Sequence, residues 1–266
     1  MRTPGQSLQE ARRELFEDYL LFPLLMVAAF WVVALVQWVQ YLNQTPPKPW
    51  LWSAVTVAAL AFAVFRFFRV LPKSMKLRQG VEGERAVGQY LERLREKGYH
   101  VFHDLLGEGF NVDHVVIGPA GIFTIETKTW SKPTKGRAVV RFDGESVSIG
   151  GLGPDKRPII QARAQAGWLR ELLQESTGLE VQVHPVILFP GWYIEKTGTP
   201  TRPLWVLEPK GLPKYLDVQD TRLSREKINL LSYSLSRFIR QSEKEREARE
   251  RSFWHTIQRK KSKLPE

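Results

Sequence analysis

VDHVVIGPAGIFTIETK, residues 112–128, is the stretch whose reading decides the fold. Two runs rich in β-branched and aromatic residues, 112–118 and 121–128, flank Pro119-Ala120, and turn residues between such runs read as a hairpin. A hairpin centred on that turn pairs residues whose numbers sum to 239: Ile117 with Ile122, Val115 with Thr124, and Asp113 with Glu126. Side chains alternate along a strand, so Asp113, Glu126 and Lys128 share one face and His114 points to the other, where it reads as structural. Directly opposed residues have Cβ atoms ~5 Å apart, and two carboxylates at that distance repel unless something positive lies between them. Two accounts supply the positive charge. In one, Lys128 makes an ordinary ion pair at the sheet surface, the common meaning of Glu-x-Lys in a strand. In the other, the acids hold a divalent cation.

Working outward, polar groups from separate elements favour the second account. Residues 81–97 have Val87, Tyr90, Leu91 and Leu94 at helical spacing, and Glu84 falls along that apolar stripe rather than on the charged face. Residues 159–174 form a second helix, with Gln161, Gln165, Trp168 and Leu172 lining one side. Burying Glu84, Asp113, Glu126 and Gln161 without a ligand or mutual hydrogen bonds is costly. Two oxygen ligands of this kind suit Mg²⁺ or Mn²⁺, with water and phosphate oxygens completing the shell. Lys128 can then orient the attacking water or act as a preorganised cation. Glu84 can serve as a supporting acceptor, a ligand to a second ion, or a base, and Gln161 can hold Lys128 or substrate.

The rest of the soluble part reads as mixed α and β. Strands are predicted at 138–142, 181–190 and 203–209, with a loop over 150–158 and a helix from about Thr221. Residues 240–252 are almost all charged, and the tail carries RKKSK. His103 and His184 have no partner at metal-ligand spacing, there are no internal repeats, and HExxH, P-loop, GxSxG and GxGxxG elements are absent.

Two apolar runs precede this domain. Residues 19–42 carry no formal charge, and residues 50–68 contain only Arg66, which can snorkel. At 1.5 Å per residue each run can cross a hydrocarbon layer ~30 Å thick. Trp38, Tyr41, Trp50 and Trp52 stand near the run ends, where amphipathic rings prefer the interface. A cleaved signal peptide is disfavoured by Glu10, Glu14, Glu17 and Asp18 ahead of the first run and by the second run directly after it. Arg2, Arg12 and Arg13 precede the pair, Lys48 lies between, and Arg66, Arg69, Lys73, Lys76 and Arg78 follow. By the bias of basic residues toward the cytoplasm, both termini are expected there, with the chain in the cell (inner) membrane.

The formal net charge is +11, made of nine Lys/Arg against four Asp/Glu in residues 1–78 and 30 against 24 in the remainder. A basic surface favours polyanions through counterion release. The absence of cysteine excludes disulfides, thiolate zinc sites and a cysteine nucleophile.

Taken in order, GVEGE (80–84), VDHVVIGPAGIFTIETK (112–128), IIQARAQ (159–165) and HPVILFP (184–190) resemble the nuclease-related domain, NERD, of the restriction-endonuclease-like PD-(D/E)xK superfamily. The resemblance covers about residues 79–210. It implies an α/β fold with an αβββαβ core and a mixed central sheet flanked by helices. It also implies metal ligation by Asp113, Glu126 and the main-chain carbonyl of Thr127, with Lys128 catalytic and Glu84 and Gln161 supporting it. Joining this domain to membrane helices is similar to arrangements in bacterial members. The chain departs from the pattern at Thr129, where a small amide is common, and in the 150–158 loop.

The expected organisation is a membrane hairpin in 1–78, the nuclease-like domain in 79–210 and a helical segment with a basic tail in 211–266. The expected function is Mg²⁺-dependent hydrolysis of phosphodiester bonds in DNA, with nucleic acid and the bilayer as partners. Two rivals use the same features: a nucleic-acid-binding module with an idle site, and a membrane scaffold acting through the charged tail.

Overall fold

A computed structural model describes residues 2–17, 21–44, 49–107, 109–133, 136–150 and 153–261. Tyr19, where the first apolar run begins, Lys48 in the connector, and Ser262 and Lys263 of the basic tail lie outside the described residues. The chain divides into two compact units, Gln6–Glu82 and, separately, Met1–Gly5 with Gly83–Glu266.

The first unit is helical. Helix α1 spans Gln6–Phe16 and α2 spans Phe22–Leu42. Helix α3, Pro49–Glu92, contains the second apolar run and most of the predicted 81–97 helix without a break. The change of pattern after Gln79 thus falls inside one continuous helix. The joining residues, KSMKLRQ (73–79), are good helix formers, and their propensities carry the helix past Pro72. Residues 93–97 form a tighter 3-10 turn instead of more α-helix. Within this unit Arg12 Nε donates to Ser74 Oγ at 3.3 Å, which ties α1 to α3.

The second unit is a mixed α/β domain. Its main sheet has the order β1-β2-β3-β6-β8: β1 (His100–Leu106), β2 (Asn111–Gly118), β3 (Gly121–Thr127), β6 (Val183–Leu188) and β8 (Trp205–Leu207). β1, β2 and β3 are antiparallel neighbours, whereas β3–β6 and β6–β8 are parallel, so the sheet is mixed. The β2–β3 ladder runs from His114–Ile125 to Gly118–Gly121, in the register expected from the turn. Helix α4 (Arg157–Thr177) connects β3 to β6, giving the αβββαβ order, and helix α6 (Arg225–Lys261) follows the domain.

One strand of that core, β1, was not expected; the predicted strand at 138–142 lies elsewhere. It forms β4 (Val139–Phe142), which joins β5 (Val147–Ile149) and β7 (Tyr193–Lys196) in a separate three-stranded sheet. The short helix α5 covers Leu212–Asp217.

Apolar clusters fill both faces of the main sheet. On one, Val87, Leu91 and Leu94 pack against Val101, Val116, Phe123 and Ile125. On the other, Leu169 and Leu173 of α4 and Leu231 and Leu235 of α6 pack against Val115, Ile117 and Ile122. Because β2 and β3 are covered on both faces, a polar side chain on either must be compensated inside the protein. Leu169 of α4 is fully buried. Replacing it with alanine removes transfer energy and leaves a cavity. Leu169→Ala is expected to lower unfolding free energy by about 2–5 kcal/mol, read as a lower urea midpoint at unchanged slope.

Candidate active site

The sheet register brings acids together. His103–His114 and Leu105–Val112 are paired on either side of Asp104, which sets Asp104 across β1–β2 from Asp113. Continuing the β2–β3 register sets Asp113 across from Glu126. Asp104, Asp113 and Glu126 thus come from three adjacent strands, and all three are buried. Glu84 reaches them from α3, 5% exposed. Its approach depends on Gly83, where a Cβ would overlap the side chain of Thr129 just beyond Lys128. Glycine here permits the close packing of helix on loop that puts the next residue into the site.

Each acid has its own donor. The main-chain N–H of Thr127 donates to Asp113 Oδ2 at 2.7 Å. Lys128 Nζ donates to Glu126 Oε1 at 2.6 Å and to Gln161 Oε1 at 2.9 Å. Gln165 Nε2 donates to Glu126 Oε2 at 2.6 Å and to the Asn111 carbonyl at 2.9 Å. A main-chain hydrogen bond from Gly5 reaches Glu84. Arg2 Nε donates to Asp104 Oδ2 at 2.7 Å, with Asn111 Nδ2 on the other oxygen at 3.3 Å.

All the sequence-derived candidates are thus at one place: Glu84, Asp113, Glu126, Thr127, Lys128 and Gln161. Three parts went unassigned in the sequence. Gln165 is one turn on from Gln161 along the same side of α4, and its buried amide was the available signal. Asp104 lies in the strand that was missed. Arg2 and Gly5 have no local signal, since Arg2 is 102 residues from its partner. His114 does lie on the face away from Asp113, as its alternation requires, but its Nδ1 and that of His103 are 2.9 Å apart, and His103 Nε2 meets Glu92 Oε1 at 2.8 Å. The His103–His114 contact comes across strands rather than along the chain. His184 Nε2 meets Arg222 Nη1 at 2.9 Å instead.

The compensation is incomplete. Burial raises the Asp113 pKa well above the usual carboxylate range, and the charges of Glu126 and Glu84 push it further. Burial, then the charges of Asp104 and Glu126, raise Glu84 from 4.5 to about 8, against the opposing Gly5 hydrogen bond and Lys128 charge. Glu84 Oε2, Thr127 Oγ1 and Gln165 Oε1 are buried with no hydrogen-bond partner. Leaving such acceptors unsatisfied costs roughly 1–3 kcal/mol each. A cluster that is all oxygen, short of positive charge and rich in open lone pairs fits a hard divalent cation. Among the described residues no group of three or more His, Asp or Glu side chains is spaced to enclose an ion alone. Asp113 and Glu126 would need a main-chain carbonyl, water or substrate oxygens to complete a shell, as Mg²⁺ commonly does.

The mixed sheet and the helices around it are consistent with a nuclease-like fold. Residues 79–190 match the family model of NERD, the nuclease-related domain, and this match supports a nuclease-related function in the general sense. An uncharacterized protein of Bacillus anthracis is 33% identical over 66 residues, covering 23% of this chain and 31% of that protein. The chain thus spans about a third of that relative's length. No solved structure matches the chain.

The raised Glu84 pKa makes a stability prediction. Between the ordinary value of 4.5 and about 8 the folded chain retains a proton that the unfolded chain has lost. Stability therefore falls as pH rises through that window. In urea titrations of the metal-free chain, Glu84→Gln is expected to flatten this decline between about pH 5 and 8. A decline of unchanged slope in the variant would contradict the assignment.

Proposed function

We propose that the chain is a membrane-anchored nuclease that hydrolyses phosphodiester bonds in DNA with Mg²⁺ or Mn²⁺. The observation that carries this reading is the burial of Asp113, Glu126 and Glu84 around one point with Lys128 beside them and too few donors to neutralise them. The ligands we assign are Asp113, Glu126 and the Thr127 carbonyl. A divalent ion held there supplies a lowered pKa for water and neutralises charge on the phosphate oxygens.

The protein's own groups do the rest. Lys128 Nζ, held by Glu126 and Gln161, is directed by two acceptors and can orient the attacking water and stabilise the charge that grows on phosphorus-bound oxygens. Gln165 fixes the Glu126 carboxylate through its other oxygen, so the pair Glu126–Lys128 is locked from both sides. Glu84, raised to about 8, can exchange a proton near neutral pH. Water attacks phosphorus and the bond to the departing oxygen breaks; the proton lost by the water passes to an adjacent carboxylate or to solvent, and the departing alkoxide takes a proton from solvent.

Support for a nucleic-acid partner is the family match and the +11 formal charge. DNA is the polymer favoured by the resemblance to restriction-endonuclease-like folds. The anchor rests on two helices long and apolar enough to cross a membrane, with mean hydropathies of 1.8 and 1.9. Their large apolar side chains face outward; Trp31 is 62% exposed, Val57 66% and Leu42 75%. Exposed surface of that kind in water is a liability, and lipid removes it. Arg12 and Arg13 before the pair and Arg66, Arg69, Lys73, Lys76 and Arg78 after it support a cytoplasmic position for both flanks and for the nuclease-related domain.

The full chain in detergent is expected to nick supercoiled plasmid with Mg²⁺ and to stop when EDTA is added. Lys128→Ala should lower the rate by about a hundredfold or more. Asp113→Asn and Glu126→Gln should each remove Mn²⁺ binding in a calorimetric titration. Undiminished nicking by Lys128→Ala would overturn the assignment, and cleavage of RNA but not plasmid would reassign the substrate.

A further inference from the structure

Residues 2–5 pack with the nuclease-related unit although 77 residues of helical unit, Gln6–Glu82, separate them from it in the chain. The contacts that hold this strap include the following. Arg2 pairs with Asp104 at 2.7 Å, and the two side chains are 7% and 0% exposed. The Gly5 amide bonds to Glu84. Pro4 lies on α3 at Gly88, where a Cβ would overlap its ring. Asp104 has a positive φ of 51°, which a non-glycine residue adopts at a cost, so its backbone is committed to this arrangement.

A buried ion pair gains little stability over apolar groups of the same size, because both charges lose water. Its position is what gives it meaning. Asp104 lies on β1, the edge strand beside the two that carry Asp113 and Glu126, and its charge acts on Glu84. Glu84, the acid from the helix, is bonded by the same short segment three residues later. The strap thus reaches Asp104 and Glu84, whereas the hydrogen bonds of Lys128, Gln165 and the Thr127 amide go to Glu126 and Asp113.

We propose that residues 2–5 are a structural wall of the acidic site, with Arg2 its resident cation: Arg2 neutralises Asp104 and the Gly5 amide steadies Glu84, which leaves Asp113 and Glu126 as the pair open to a divalent ion. Arg2 acts through Asp104 as a positioning residue and limits how much positive charge the site takes up. The claim about the ion rests on the divalent-ion reading above; the seating of the strap does not.

The test uses the full chain in detergent micelles with two readouts. Hydrogen exchange of the Thr3 and Gly5 amides reports seating without metal. Protection of at least roughly tenfold over free-peptide rates is expected, lost in Arg2→Ala and in Asp104→Asn. Mn²⁺ binding by electron paramagnetic resonance reports charge. Arg2→Ala exposes the Asp104 carboxylate and should tighten Mn²⁺ binding by roughly three- to tenfold, the effect of one unit charge nearby in a partly screened site. Arg2→Ala combined with Asp104→Asn should return affinity to within about twofold of the starting chain, as should Arg2→Lys alone. A purely structural role predicts weaker binding in Arg2→Ala and weaker still in the double variant. Gly88→Ala, which favours the helix but displaces Pro4, tests the strap without touching an acid and should also tighten binding.

Unprotected amides in the starting chain, or unchanged or weaker Mn²⁺ binding in both Arg2→Ala and Gly88→Ala, would overturn the proposal. Absence of Asp113-dependent Mn²⁺ binding in the starting chain would instead overturn the divalent-ion reading, leaving the exchange data to decide whether the strap is seated.

Discussion

Four carboxylates that must share a water-poor space set the terms for this domain. Asp104, Asp113 and Glu126 come from adjacent strands of one sheet and Glu84 from the helix over it, all buried. At such separations in a partly screened interior, like charges repel by several kcal/mol unless neutralised. The fold answers with donors drawn from every direction: a main-chain amide at Thr127, the ammonium of Lys128, the amide of Gln165, the guanidinium of Arg2 and the amide of Gly5. Even so, Glu84 and Asp113 hold their protons more tightly than ordinary carboxylic acids, and three oxygens lack partners. A natural sequence that conflicts with itself in this way commonly does so at a functional site.

The ion pair between Lys128 and Glu126 is shared by the bland and the functional readings of the motif. What separates them is the surrounding wall. A surface ion pair has one carboxylate facing water, whereas here the carboxylate is 3% exposed and has Asp113 and Glu84 as neighbours. Gln161 and Gln165 complete the enclosure from α4, one turn apart, one on the lysine and the other on the glutamate. The ammonium is thereby oriented rather than merely paired.

Much of this was legible in residues 112–128. A two-residue turn between β-branched runs sets the register, and register with alternation gives the shared face of Asp113, Glu126 and Lys128. Glu84 was legible because a carboxylate on an apolar stripe is anomalous. Strand β1 was not, since His100, His103 and Asp104 interrupt the apolar alternation that marks a strand, and with it went Asp104 and the His103–His114 pairing. Strands β5 and β7, three and four residues long, are too short to carry a period. The continuity of α3 was hidden by the drop in hydropathy after Phe68, which marks a change of surroundings rather than the end of a helix. Contacts of Arg2 and Gly5 with the acids join residues far apart in sequence, and nothing local announces them.

The claim that these acids surround a divalent ion is tested most directly by anomalous diffraction from crystals soaked in Mn²⁺. The account predicts one strong peak between Asp113 and Glu126, within 2.0–2.3 Å of both carboxylates. A map with no peak there, and Glu126 bonded only to Lys128 and Gln165, would contradict it.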